Sequence, residues 1–236
     1  MRHILALIVA VLFASPALAQ EPARLSSPAI SRCAGKAGLE IRQLDAAFGI
    51  IMLDGAPWLT IEQTEEKVGT QPISTTVTGT GAQRRRNGTM VPFRFTCLLD
   101  EKGEALMFHI SQVVPAMGDR LPPSIFVTGA ASTSRKVTLP RGAELRLELL
   151  DVAHSPDGEV LAEQVVRSGW QVPIPFELRL PKDTKMDDRK LVLTARLVVQ
   201  RRVIFQLARP RPLSMADLRN PIELLLDEAE VVKEQK

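Results

Sequence analysis

The sequence predicts a mainly β protein: a small N-terminal α+β domain, with a helix on an antiparallel sheet and one disulfide, followed by a C-terminal β-sandwich. Three observations carry this. Apolar residues alternate with polar ones in run after run, as in Val91, Phe93, Phe95, Cys97 and Leu99, or Leu191, Leu193, Ala195, Leu197 and Val199; a period of two is that of strands with one buried face. Helical spacing is confined to one stretch near the start. The chain has only two cysteines, one in that stretch and one in a strand.

The chain opens with MRHILALIVAVLFASPALA. A basic start (Arg2, His3), an apolar run from Ile4 to Ala14, a break at Ser15-Pro16 and then Ala17-Leu18-Ala19 have the layout of a secretory signal, with cleavage expected between Ala19 and Gln20. The apolar run is shorter than the roughly 20 residues a spanning helix needs. Residues 1–19 are therefore expected to be removed on export, leaving a soluble periplasmic product. Gln20, and no lipid-accepting cysteine, follows the expected cut.

Residues 20–30, rich in Pro, Ser and Ala, are expected to form a flexible leader. From Ser31 to Gly49 the run suits a helix started by a Ser cap, with Cys33, Ala37 and Ile41 on one face. Short alternating stretches follow: Leu59 with Ile61, Ile73 with Thr75 and Val77, the run from Val91 to Leu99, and Leu106 with Phe108 and Ile110. Asn87-Gly88 and Asp100–Gly103 separate these runs as hairpin turns. Residues 31–114 thus make the first domain. Cys97 shares the parity of Phe93 and Phe95, toward the face where the helix packs. In an oxidising compartment, pairing Cys33 with Cys97 stabilises by roughly 4 kcal/mol on the chain-entropy model. A reactive thiol or metal site is the alternative; the spacing lacks a CxxC or a nearby His, so a staple is expected.

Pro115, Gly118 and Pro122-Pro123 interrupt the pattern and mark a linker over residues 115–123. Residues 124–228 carry the more regular half, with strands expected around Phe126–Ala130, Leu145–Leu149, Val160–Val166, Ile174–Leu180, Leu191–Val199, Val203–Leu207 and Ile222–Leu226. Many short half-buried strands without a helix predict a sandwich or small barrel. Residues 229–236 form a charged tail.

This second half resembles the YbaY/YscW family, which includes lipoproteins and the type III secretion lipoprotein chaperones known as pilotins. The resemblance rests on Val127-Thr128-Gly129, Leu139-Pro140 before Gly142-Ala143, Asp151, and above all Val172-Pro173-Ile174-Pro175-Phe176-Glu177-Leu178. It covers about residues 125–228. It implies a β-sandwich without an active site and, in the pilotins, help in delivering or assembling a secretin ring at the outer membrane. Two features depart from the family: the absent lipidated cysteine, and Gln200-Arg201-Arg202 where a short Gly turn is common.

Composition narrows the chemistry. Lys plus Arg number 30 against 27 acidic residues, aromatics are 4% and tyrosine is absent, so stacking platforms for single-stranded nucleic acid or sugars are not expected. His109, on the polar parity of its strand, and His154, in a turn, have no partner at metal or triad spacing. No P-loop, dinucleotide fingerprint or GxSxG elbow is present. No cofactor, metal or catalytic residue is expected.

The candidate contact residues are Arg84, Arg85 and Arg86 at the Asn87-Gly88 turn, Arg201 and Arg202 at a second hairpin, and Trp170. The arginines read either as solvated hairpin tips or as a contact for anionic lipid or an acidic partner, worth about 1 kcal/mol per base near an anionic surface. Trp170 reads as a core filler or a partner anchor. The expected function is a non-catalytic periplasmic binding or assembly-assisting protein, its partner an envelope protein such as a secretin or outer-membrane assembly subunit. A hydrolase inhibitor or structural envelope protein is the alternative, with Arg84–Gly88 as the protruding loop.

Overall fold

In a computed structural model the described residues are 23–44, 48–140, 142–168, 172–186 and 188–229. The expected signal, its cleavage site, Trp170 and the end of the tail lie outside them.

Helix α1 spans Ala23–Leu44. It begins eight residues before Ser31, within the stretch expected to be a flexible leader, and it contains Pro28. Burial explains the difference: Ile30, Cys33, Ala34 and Ala37 are all 0% exposed, an i, i+3, i+4, i+7 stripe on one face. Covering Ile30 alone is worth about 2 kcal/mol, which favours carrying the helix upstream of Ser31. At its other end α1 stops at Leu44. Phe48–Asp54 is strand β1, where the expected helix ran on to Gly49.

The remaining strands of the first half are β2 (Thr60–Val68), β3 (Gln71–Arg85), β4 (Met90–Leu99) and β5 (Ala105–Gln112). Those of the second half are β6 (Ser124–Thr133), β7 (Glu144–Asp151), β8 (Glu159–Arg167), β9 (Ile174–Pro181) and β10 (Leu191–Val199). They are completed by β11 (Arg202–Gln206), the two-residue β12 (Arg211–Pro212) and β13 (Ile222–Glu228). The fold is mainly β, as expected. Cys33 and Cys97 are joined, with Cα atoms 5.9 Å apart, in the same buried cluster as Phe93, Phe95 and Phe108.

One hydrogen-bonded path runs through both halves, in the order β5-β4-β3-β1-β8-β7-β10-β11-β13-β6-β9. The join is the antiparallel pair β1–β8, with Met52 opposite Val166 and Asp54 opposite Gln164. Both strands are buried on both faces. Ile50, Met52 and Val166 enter one core, with Leu145, Leu193, Leu178 and Leu224; Ile51, Leu53 and Val165 enter the other, with the disulfide and the helix. Helix α1 thus lies on one face of the long sheet. On its other face β6, β9 and β13 close the second core, an arrangement consistent with a β-sandwich.

The family-like residues have structural roles here. Gly129 stands where a Cβ would come 2.1 Å from the Ile222 carbonyl oxygen, so only glycine lets β6 and β13 approach in parallel register. Leu139 is a 2% exposed core plug. Gly142, at φ +91, turns the chain into β7. Residues 115–123 contain one 3-10 turn, Pro115–Met117, and are fastened: Arg94 grips Asp119 at 2.8 and 2.9 Å.

Candidate functional site

The β3–β4 hairpin carries Arg84, Arg85 and Arg86. Its loop is set by Gly88 at φ +88, the Gly88 amide donating to the Arg85 carbonyl and the Arg85 amide to the Thr89 carbonyl, both at 2.9 Å. This three-residue loop with a left-handed last position is what Asn87-Gly88 favours. Arg85 and Arg86 are exposed and Arg84 is half-buried.

The β10–β11 turn differs. Val199 pairs with Arg202, so Gln200 and Arg201 are the two central residues, and both have positive φ, +47 and +68. A two-residue turn of this type normally takes Asn-Gly. Side chains with a Cβ in that region cost about 1–2 kcal/mol per residue, and here the strain holds Arg201 at an exposed tip.

Register places the two tips at one end of the sheet. Leu197, Leu145, Val166, Met52, Ala82 and Pro92 lie on one line across β10, β7, β8, β1, β3 and β4. Beyond that line stand Arg201 and Arg202, the Gly142 turn, Arg167 at the end of β8, and Arg84–Arg86. Four strand spacings separate β10 from β3, about 19 Å. The two arginine clusters picked from the sequence therefore share one edge, while Trp170 lies outside the described residues.

Between the β10–β11 tip and helix α1 the surface opens into a cleft of about 650 Å³, lined by Pro28, Ser31, Arg32, Gly142, Glu144, Arg146, Arg167, Val198, Gln200 and Arg201. Glu144 is 3.4 Å from Arg146 and 3.7 Å from Arg167, and Arg32 pairs with Glu104. Sequence reasoning did not find Arg32, Arg146 or Arg167. They lie on a helix and on strand positions that read as ordinary polar faces, and only tertiary folding collects them.

A second polar cluster ties the halves together. The Arg179 guanidinium donates to Asp54 Oδ2 at 3.0 Å, to Thr80 Oγ1 at 2.9 Å and to Ser124 Oγ at 3.0 Å. Trp58 donates from Nε1 to the Arg179 carbonyl at 3.0 Å, and its ring lies 4.5 Å below the guanidinium carbon. The Gln164 amide bonds the β9 backbone both ways, donating to the Glu177 carbonyl at 2.7 Å and accepting from the Glu177 amide at 3.1 Å. Burial, then the nearby Asp54 carboxylate, pushes the Glu177 carboxyl above its usual range against the pull of Arg179. These contacts are internal to the fold, and the cluster acts as a clamp.

Among the described residues no three His, Cys, Asp or Glu side chains gather as a metal site, and no helix is long and apolar enough to cross a membrane. His109 and His154 are both exposed.

Comparison with known proteins bears on the second half. Residues 123–224 match the family model described as type III secretion system lipoprotein chaperone (YscW). A solved structure of an alternative pilotin from the type II secretion system of Vibrio cholerae is similar at 19% identity. The similarity covers 46% of this chain and 100% of that one, with a TM-score of 0.42. No curated protein matches the chain.

Proposed function

We propose that this protein is a non-catalytic, assembly-assisting module of the cell envelope, which holds a protein partner such as a secretin or another outer-membrane assembly subunit. The observation that carries the reading is the match of residues 123–224 to the secretion lipoprotein chaperone family. The family-like positions support it. Gly129, Leu139, Gly142 and the β9 core residues build the sheet and its turns, the work of a binding scaffold. The signal-like residues 1–19 support export to the periplasm, where the Cys33–Cys97 bond is stable.

The contact surface is the arginine-bearing end of the sheet, with Arg84, Arg85, Arg86, Arg201 and Arg202. Their charges favour an acidic partner or the anionic face of a membrane, and draw either in over a Debye length. Trp170 is retained as a candidate anchor, two residues before Val172. No lipid-accepting cysteine follows the expected cut, so delivery in this reading rests on the protein surface itself.

In-cell crosslinking of the tagged mature protein in its own envelope, followed by mass spectrometry, tests this. Recovery of a secretin or outer-membrane assembly subunit is the expected result. Recovery of a cell-wall hydrolase would replace the reading with an inhibitor.

A further inference from the structure

We infer that the β3–β4 tip and the turn after β5, residues 114–118, together seat this protein on an anionic lipid surface. In this seating the side chains of Val114 and Met117 enter among the headgroups. The inference rests on the envelope location in the proposed function, and it chooses lipid as what the arginine tip of the first half meets.

The turn carries the apolar part. Val114, Pro115, Ala116 and Met117 are consecutive, apolar and exposed, Val114 at 38% and Met117 at 83%. An exposed run of four apolar residues is unfavourable in water and points to a contact. The run is also firmly built. The buried Val113 donates its amide to the Pro92 carbonyl, Met117 donates to the Val114 carbonyl at 2.9 Å, and Gly118 to the Pro115 carbonyl at 3.0 Å. Gly118 takes a left-handed φ of +81, and Asp119 beyond it is gripped by Arg94. The apolar apex is therefore held out from both sides.

Register puts this turn beside the arginine tip. Gln112 lies opposite Phe93 and Val113 bonds Pro92. Val114 thus comes beside Val91, and Pro115 beside Met90, the β4 residue that pairs with Arg84. Neighbouring strands are about 4.8 Å apart, so the exposed residues 85–89 and 114–118 project side by side.

Charge chooses the kind of surface. Arg84, Arg85, Arg86, Arg94 and Arg120 belong to the two loops and their strand ends, where Asp119 is the one carboxylate. Asp45, which precedes β1 in the sequence, is counted against them; Glu40, the one acid of α1, pairs with Lys36. Arg85 and Arg86 have contacts of their own in the fold. Five arginines against two carboxylates leave this end positive whichever of them pair, and a bilayer responds to that net charge. The far tips of the first half have the opposite balance, Glu65, Glu66 and Lys67 at one and Asp100, Glu101 and Lys102 at the other. An anionic surface therefore draws this half in arginine end first. A protein would need a preformed apolar pocket for such a projecting apex. A bilayer takes it as it stands, with the guanidinium groups left at phosphate depth.

The test places an environment-sensitive dye on the full mature chain, at Met117→Cys or, at the far end, at Glu101→Cys; Cys33 and Cys97 are already joined. Each protein is titrated at low salt with phosphatidylglycerol vesicles and, separately, with phosphatidylcholine vesicles. The dye at 117 is expected to shift to the blue with phosphatidylglycerol, and to return toward its aqueous spectrum as salt rises. The dye at 101 is expected to stay in water. In flotation of unlabelled chains, Val114→Ser with Met117→Ser, both on exposed side chains, should weaken phosphatidylglycerol binding about tenfold. Arg84→Gln should weaken it about fivefold, and Met215→Ser, on an exposed methionine of the second half, should leave it unchanged. Undiminished binding by the double serine variant overturns the inference, as do equal shifts at 117 and 101 or equal binding to neutral vesicles. A shift at 117 that grows with protein concentration and needs no vesicles would make the turn a contact between copies of this chain, and also overturns it. Vesicle binding without any crosslinked envelope partner would sink the proposed function and leave this surface standing; a crosslinked assembly subunit without vesicle binding would do the reverse.

Discussion

Strand β7 carries a buried carboxylate at each end, Glu144 at 8% exposure and Asp151 at 6%, and the two are treated differently. Asp151 is closed. Its Oδ1 accepts from the Ala153 and Lys190 amides at 3.0 and 3.1 Å, and its Oδ2 accepts from Arg189 at 3.0 Å. Burial alone would raise its pKa, but those amides and the guanidinium outweigh it and hold the carboxyl below its ordinary value. Glu144 is open. It meets two arginines at 3.4 and 3.7 Å, beside a cleft where two further arginines stand. One end of the strand closes its charge inside the fold; the other meets its arginines at the wall of a cleft. A buried ion pair is therefore no guide to function until its neighbours have been counted.

The largest expected effect comes from a third buried carboxylate, which sharpens the comparison by being the most closed of the three. Asp54→Ala leaves the Arg179 guanidinium buried without its partner and should destabilise the protein by about 3–5 kcal/mol in chemical denaturation. Because Asp54 is in β1 and Arg179 in β9, the loss should be global, with both halves melting together.

Much of the fold was legible because most strands have one wet face. The runs Val91–Leu99, Ile174–Leu180 and Leu191–Val199 alternate, and each is a strand. The strand that joins the halves was not legible. Phe48–Asp54 reads as an unbroken apolar run because its alternate residues serve two cores, and without alternation a buried strand cannot be told from buried helix. Arg179 was missed for the converse reason: on the polar parity of β9 it reads as solvated, and folding brings Asp54, Trp58 and Thr80 of the distant first half over it. The arginine tips were legible from Asn87-Gly88 and Gln200-Arg201-Arg202. Their shared edge was not, since it depends on the β1–β8 register.

Asp151→Asn should come next in size, costing about 1–3 kcal/mol at pH 7 by weakening a charge-assisted hydrogen-bond set. The sign with pH is fixed by the lowered pKa. The stability from Asp151 is complete above its unfolded value near 3.8 and is lost as pH falls through the lower folded value. Denaturation midpoints of variant and wild type should thus differ by a constant amount above about pH 5 and converge in stronger acid. A gap that widens in acid would mean Asp151 is not held as the closed end requires.

The smallest effect has the opposite sign. Arg201→Gly at the open end should raise stability by about 1 kcal/mol, because the left-handed turn no longer carries a Cβ. Its thermal midpoint should rise while crosslinking to an envelope partner falls, a divergence that a purely structural Arg201 would not give.

The difference between the two ends is tested most directly by placing a photo-crosslinking residue at Gln200, in the strained turn, or at Thr64, on β2 toward the opposite end of the sheet. Each full-length protein is then irradiated in its own envelope. The account predicts that Gln200 captures an envelope assembly protein, that capture falls when Arg201 and Arg202 are replaced, and that Thr64 captures none of it. Equal capture from both positions, or capture from Thr64 alone, would contradict it.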